Sequence, residues 1–136
     1  MVISHEVIGG AIGWELGNPF WAYCLAFISH LVMDKIPHYF PKEKKNKALF
    51  TICEILIALG MMVFFVKNGF PLSDISFWAG LAGGVTMDIL FVGIPVLKKS
   101  KIGVWHNLRQ KHVSKPIYLV FDASFIIVGL FILGVL

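Results

Sequence analysis

His30 and Asp34 stand four residues apart, a spacing that sets two side chains on one helical face and lets both reach one centre. Imidazole with carboxylate is ligand chemistry for zinc, manganese or iron. Cys24 and Cys53 lie apart in apolar stretches, which argues against a zinc–thiolate site. Glu54, Asp88 and Asp122 each interrupt an otherwise apolar run. An ionisable residue in such a run is costly, so it usually faces the bundle interior, finds a partner and marks function. His106 and His112 are six apart, which is not one face of a straight helix, so both bind only across a turn. Plainer uses stand beside these. His30 suits a hydrogen bond to a neighbouring helix, His38 beside Tyr39 suits an interface, and Glu54 and Asp122, each alone in its helix, read first as structural.

The elements that carry these residues follow from composition. Of 136 residues 57% are hydrophobic and 15% charged. With glycine counted, the apolar fraction is roughly two-thirds, against about 45–50% in a soluble domain. This excludes a soluble globular enzyme, a disordered tail and a basic nucleic-acid-binding domain. The expected architecture is all-α, a polytopic transmembrane bundle of four to five segments in a single domain over residues 1–136. Segments 48–66, 75–97 and 117–136 are long enough to span about 30 Å of hydrocarbon. A fourth, 19–36, opens on Asn18 as N-cap with Pro19 in the first turn, and Pro37 ends it near Ile36. The segment 2–16 is short, partly interfacial, and lined by Gly9, Gly13 and Gly17 at a spacing that permits close packing in lipid. No basic region or cleavage site marks it as a signal peptide, so it is expected to be retained.

Eleven of the 12 Lys and Arg residues fall in two loops, 35–47 and 98–115. Two spans separate these loops, so they share one side, which the positive-inside rule makes cytoplasmic. His30, Asp34, Glu54, Asp88 and Asp122 then lie toward that side, and His5, His38, His106 and His112 at or near it. Glu15 and Asp74 fall on the other. Trp14, Trp21, Trp78 and Trp105 are expected to anchor helix ends.

The stretch Ser4-His5-Glu6-Val7-Ile8-Gly9-Gly10-Ala11-Ile12-Gly13 resembles an N-terminal His-plus-glycine segment of the predicted inner-membrane, metal-dependent hydrolases, small polytopic proteins of bacterial or phage type. Asn18-Pro19-Phe20 and then Ser29-His30-Leu31-Val32-Met33-Asp34-Lys35-Ile36-Pro37-His38 resemble that family's Ser-His-x-x-x-Asp-x-x-Pro-His signature. Gly80 to Asp88 and Trp105-His106 to His112 also fit, so the likeness covers most of the chain. It implies a metal held by His5, His30, Asp34, Asp88 and one or both of His106 and His112. Better-known members carry Pro-Asp-x-Asp where this chain has Thr86-Met87-Asp88-Ile89, with one acid. Their His-Arg-Gly-x-Thr-His-Ser element is reduced here to His106-Asn107-Leu108-Arg109-Gln110-Lys111-His112.

The expected function is a metal-dependent hydrolase at the cytoplasmic face of the bacterial inner membrane, with zinc the first choice of divalent metal, and manganese or iron the others. Glu54 or His38 would serve as general base. Lys99, Lys101, Arg109 and Lys111 would attract an anionic group, so an ester or phosphoester substrate is expected. The rival from another class is a noncatalytic metal-binding membrane subunit or assembly factor. A transporter ranks last, because the far halves of the spans hold few ionisable residues. Expected partners are membrane lipids, with anionic headgroups at the basic loops, and a second copy or partner subunit; no nucleic acid is expected.

Overall fold

The computed structural model describes residues 2–36, 44–93 and 115–136, with 97, 99–101 and 104, and only the helical backbone of 44–48 and 91–93. The described residues form five helices and no strand: α1 Val2–Leu16, α2 Pro19–Met33, α3 Lys44–Lys67, α4 Ile75–Gly93 and α5 Lys115–Ile132. The all-α expectation holds. Among the described residues two helices, at Leu49–Lys67 and Lys115–Ile132, are long and apolar enough to cross a membrane; Pro19–Met33 and Ile75–Leu90 are shorter apolar helices.

Local chemistry sets most boundaries. Gly17, at φ 61°, ends α1, since only glycine takes left-handed geometry without strain. The glycine expected to extend the packing stripe is therefore a stop: a Cβ added to it meets nothing. Asn18 follows in extended geometry, its side chain accepting from the Trp21 amide at 3.1 Å, with Pro19 first in α2. α2 ends at Met33, before the expected Ile36, because the amides of Lys35 and Ile36 turn back to the Val32 and Met33 carbonyls. Asp34 still has helical geometry as the C-cap. The Asp74 carboxylate caps α4 by accepting from the Phe77 amide at 3.0 Å. α3 and α5 both finish in Schellman turns. In α3 the Phe70 and Gly69 amides reach the Phe65 and Val66 carbonyls; in α5 the Val135 and Gly134 amides reach Leu130 and Phe131.

α1, the shortest expected segment, is the centre of the bundle, packing on α4 first and then on α2, α5 and α3. It runs antiparallel to α4 with backbones in contact. A Cβ on Gly9 would strike the Gly80 carbonyl, one on Gly13 the Ser76 carbonyl, and one on Gly84 the His5 carbonyl. α2 lies on the adjoining face of α4, where a Cβ on Gly83 would come within 3.1 Å of the Ala26 methyl. Each of these three helices thus presents small residues every fourth position: Gly9 and Gly13, Ala22 and Ala26, Gly80 and Gly84. Continued one turn, the three rows reach His5, His30 and Asp88, and one turn more along α2 brings Asp34. The opposite pole is aromatic, with the Phe65, Phe70 and Phe77 ring centroids 4.8–5.4 Å apart.

Outside this packing, α3 and α5 turn apolar side chains outward. Only 11% and 17% of their most apolar windows are buried within the chain. Ile52, Leu56, Leu59, Val120 and Phe131 are all more than half exposed. An apolar surface of this extent marks an interface with lipid or protein.

Candidate metal centre

His30 is fully buried on α2. Its Nδ1 lies 2.6 Å from the Gly84 carbonyl, which can only accept, so Nδ1 carries the proton. Ligating imidazoles are commonly held in this way, the second nitrogen donating to a backbone carbonyl while the first faces the metal. Nε2 of His30 is directed at Asp34, 3.3 Å from Oδ2. His5, reaching in from α1, brings its own Nε2 to 3.7 Å from Asp34 Oδ1. The two imidazole rings lie 4.1 Å apart between centroids, tilted by 33°. Asp88, half-buried on α4, completes the cluster: ligand atoms of His5, His30 and Asp88 all lie within 4.8 Å of one another.

Two imidazoles and two carboxylates therefore meet where α1, α2 and α4 converge. The donor chemistry fits a divalent ion of the zinc, manganese or iron type. Ligands 2.0–2.1 Å from a tetrahedral ion sit about 3.3 Å from each other, so the His30–Asp34 separation of 3.3 Å already matches, and His5 and Asp88 would draw in to bind the same ion. Gly84 was invisible as a site residue from its type. It acts through its carbonyl, and its missing side chain lets the His5 backbone come close.

The remaining expected residues divide. His38, His106 and His112 lie outside the described residues, as do Arg109 and Lys111. Lys99 and Lys101 are exposed. Glu54 is buried but belongs to another cluster: the Tyr118 hydroxyl donates to its Oε1 at 2.8 Å, and the Asp122 carboxylate engages the same hydroxyl. These three join α3 to α5, beside Ile8, Met33, Phe50 and Phe125, which pack around Tyr118. Tyr118 carries no sequence signal beyond its type. Glu6, read from the sequence only as part of the opening motif, is 1% exposed. Its Oε2 has no hydrogen-bond partner among the described residues.

Fold and site together define a helical bundle with a buried His/Asp cluster able to hold a cation. No protein-family model, curated protein or solved structure matches the chain.

Proposed function

We propose that this chain is a polytopic protein of the bacterial inner membrane, with four to five membrane segments and the loops 35–47 and 98–115 cytoplasmic. We further propose that it is a metal-dependent hydrolase of the family it resembles, acting on an ester or phosphoester. One observation carries the reading: His5, His30, Asp34 and Asp88, from three helices and 84 positions of sequence, meet in one buried cluster. With neutral imidazoles the two carboxylates carry two negative charges, which a divalent cation balances in a medium hostile to unpaired charge.

A divalent metal, zinc before manganese or iron, would polarise the scissile group and lower the pKa of a water bound to it. The chain's own residues do the rest. Gly84 holds the His30 ring by its Nδ1–H, and Asp34 faces both imidazoles. Asp88, the least buried of the four, is the one most open to water and substrate. Of the two residues expected to accept a proton, Glu54 is held by Tyr118, and His38 follows Asp34 by four positions in the sequence, outside the described residues. Lys99 and Lys101, with Arg109 and Lys111, supply positive charge for an anionic group or lipid headgroup.

The noncatalytic reading, a metal-binding membrane subunit or assembly factor, is favoured by a different observation. His5, His30 and Asp34 are 1%, 0% and 1% exposed, which seals most of the donor set. Metal content of the protein purified in mild detergent tests both readings. About one equivalent in the wild type and none in the double variant His30→Ala, Asp34→Ala is expected; negligible metal in both overturns the centre. Metal retained with no cleavage across a phosphodiester and acyl-ester panel would favour the noncatalytic role.

A further inference from the structure

At the pole opposite the His/Asp cluster, about 14 Å along α1, a cavity of about 290 Å³ opens between the ends of three helices. Two of its walls are helix C-termini: Asn68 and Gly69 close α3, and Leu133 and Gly134 close α5. Helix C-termini carry negative partial charge, so two of them facing one cavity favour a cation and repel an anion. The Asn68 amide nitrogen donates to the Phe64 carbonyl at 2.8 Å, which leaves the amide oxygen as an acceptor. The third wall is aromatic. Trp14 and Phe70 meet at 63° with centroids 5.0 Å apart, forming a corner of two rings. Phe70 is buried and held in the Phe65–Phe77 stack, whereas Trp14 is 41% exposed and faces the opening. Lys67, the cation of the last α3 turn, is exposed and does not line the cavity.

We propose that this cavity binds an organic ammonium group, a site separate from the His/Asp centre and independent of its function. The C-terminal ends of the α3 and α5 dipoles supply the negative field, and the exposed Trp14 ring, braced by the buried Phe70, supplies cation–π contact with a group too weakly hydrated to prefer water. The volume accommodates a methylated ammonium head, either on a zwitterionic lipid or on a free molecule. Among the described residues that line the cavity none is an Asp or Glu, so a simple metal cation finds no side-chain carboxylate there.

The test uses the whole protein in a nonionic maltoside detergent, with tetramethylammonium as the probe. Saturation transfer from protein to the probe's methyl protons is expected. Choline should compete and sodium chloride at equal ionic strength should not. Trp14→Leu should weaken binding by about five-fold or more, the worth of one cation–π contact, while Trp14→Phe should retain most of it. Helix content by circular dichroism, unchanged in both variants, separates loss of the site from loss of the fold. No transfer, equal transfer in Trp14→Leu, or equal competition by sodium overturns the site. Reconstitution then identifies the source. A weaker probe signal in phosphatidylcholine discs than in phosphatidylglycerol discs assigns the site to a lipid headgroup, and equal signals assign it to a free ammonium compound.

Discussion

In α1, α2 and α4 the closest backbone approaches are made at glycines, and the side chains enclosed at one end are His and Asp. In α3 and α5 the contacts with the rest of the bundle are few, the long aliphatic side chains point outward, and a Tyr118–Glu54 hydrogen bond ties the two helices together. Both regions are apolar by composition, yet they use it in opposite ways. The first removes side chains so that backbones meet and a few polar groups are held at fixed distances. The second spreads side chains so that the surface matches an apolar surround. Close packing fixes the positions of a few polar groups, and spread packing leaves an apolar surface to face lipid or protein.

Breaking the first region should cost most. Gly84→Leu puts a side chain against the His5 backbone carbonyl, where nothing can yield except the α1–α4 crossing itself. Overpacking of this kind costs about 1–3 kcal/mol and often more. We expect a clear fall in thermal midpoint in detergent together with loss of bound metal, because His5 and Gly84 both shift. Unchanged stability and unchanged metal content would show that the two backbones are not in contact. Tyr118→Phe addresses the second region. Removing the hydroxyl leaves the buried Glu54 carboxylate short of a donor and should cost about 1–3 kcal/mol. Metal content should stay at the wild-type value; a fall in parallel with stability would mean that the two polar clusters act as one.

Asn18→Ala sharpens the comparison at the junction of α1 and α2. Loss of the cap on the Trp21 amide should lower stability by about 1 kcal/mol, with metal retained, since His30 lies three turns away. The smallest effect belongs to Gly60→Ala on α3. A Cβ there meets no atom within 4 Å, so the change should stay within about 1 kcal/mol of wild type and lean toward stabilisation. A large loss at Gly60 would place an unseen partner on that face of α3.

Several helix boundaries were legible in residue types, because caps and breakers act over three or four positions: Asn18 with Pro19 opens α2, and Lys67 marks the end of α3. By contrast, α3 starts at Lys44, before the expected 48, and α5 stops at Ile132, short of the expected 136. Gly17 misled for the same reason. Its four-residue spacing from Gly13 matches a packing stripe, but its position past Leu16 makes it a terminator, and spacing alone does not tell the two apart. Within the candidate centre, His30 and Asp34 could be paired from sequence because a helix fixes their relation locally. Glu54 could not be assigned in this way. A lone acid in an apolar helix has the same sequence signature whether it faces a metal ligand or, as here, a tyrosine on another helix.

By itself the sequence determined an all-α chain, the approximate course of its helices and the pairing of His30 with Asp34, since periodicity, capping and helical spacing are local properties. Only the tertiary structure decided that α1 is the central helix, that the Gly84 carbonyl orients His30, and that His5 and Asp88 arrive at the same point. Those outcomes depend on the register of α1 against α4. That register is set by backbone contacts between glycines some seventy positions apart, which no local pattern encodes.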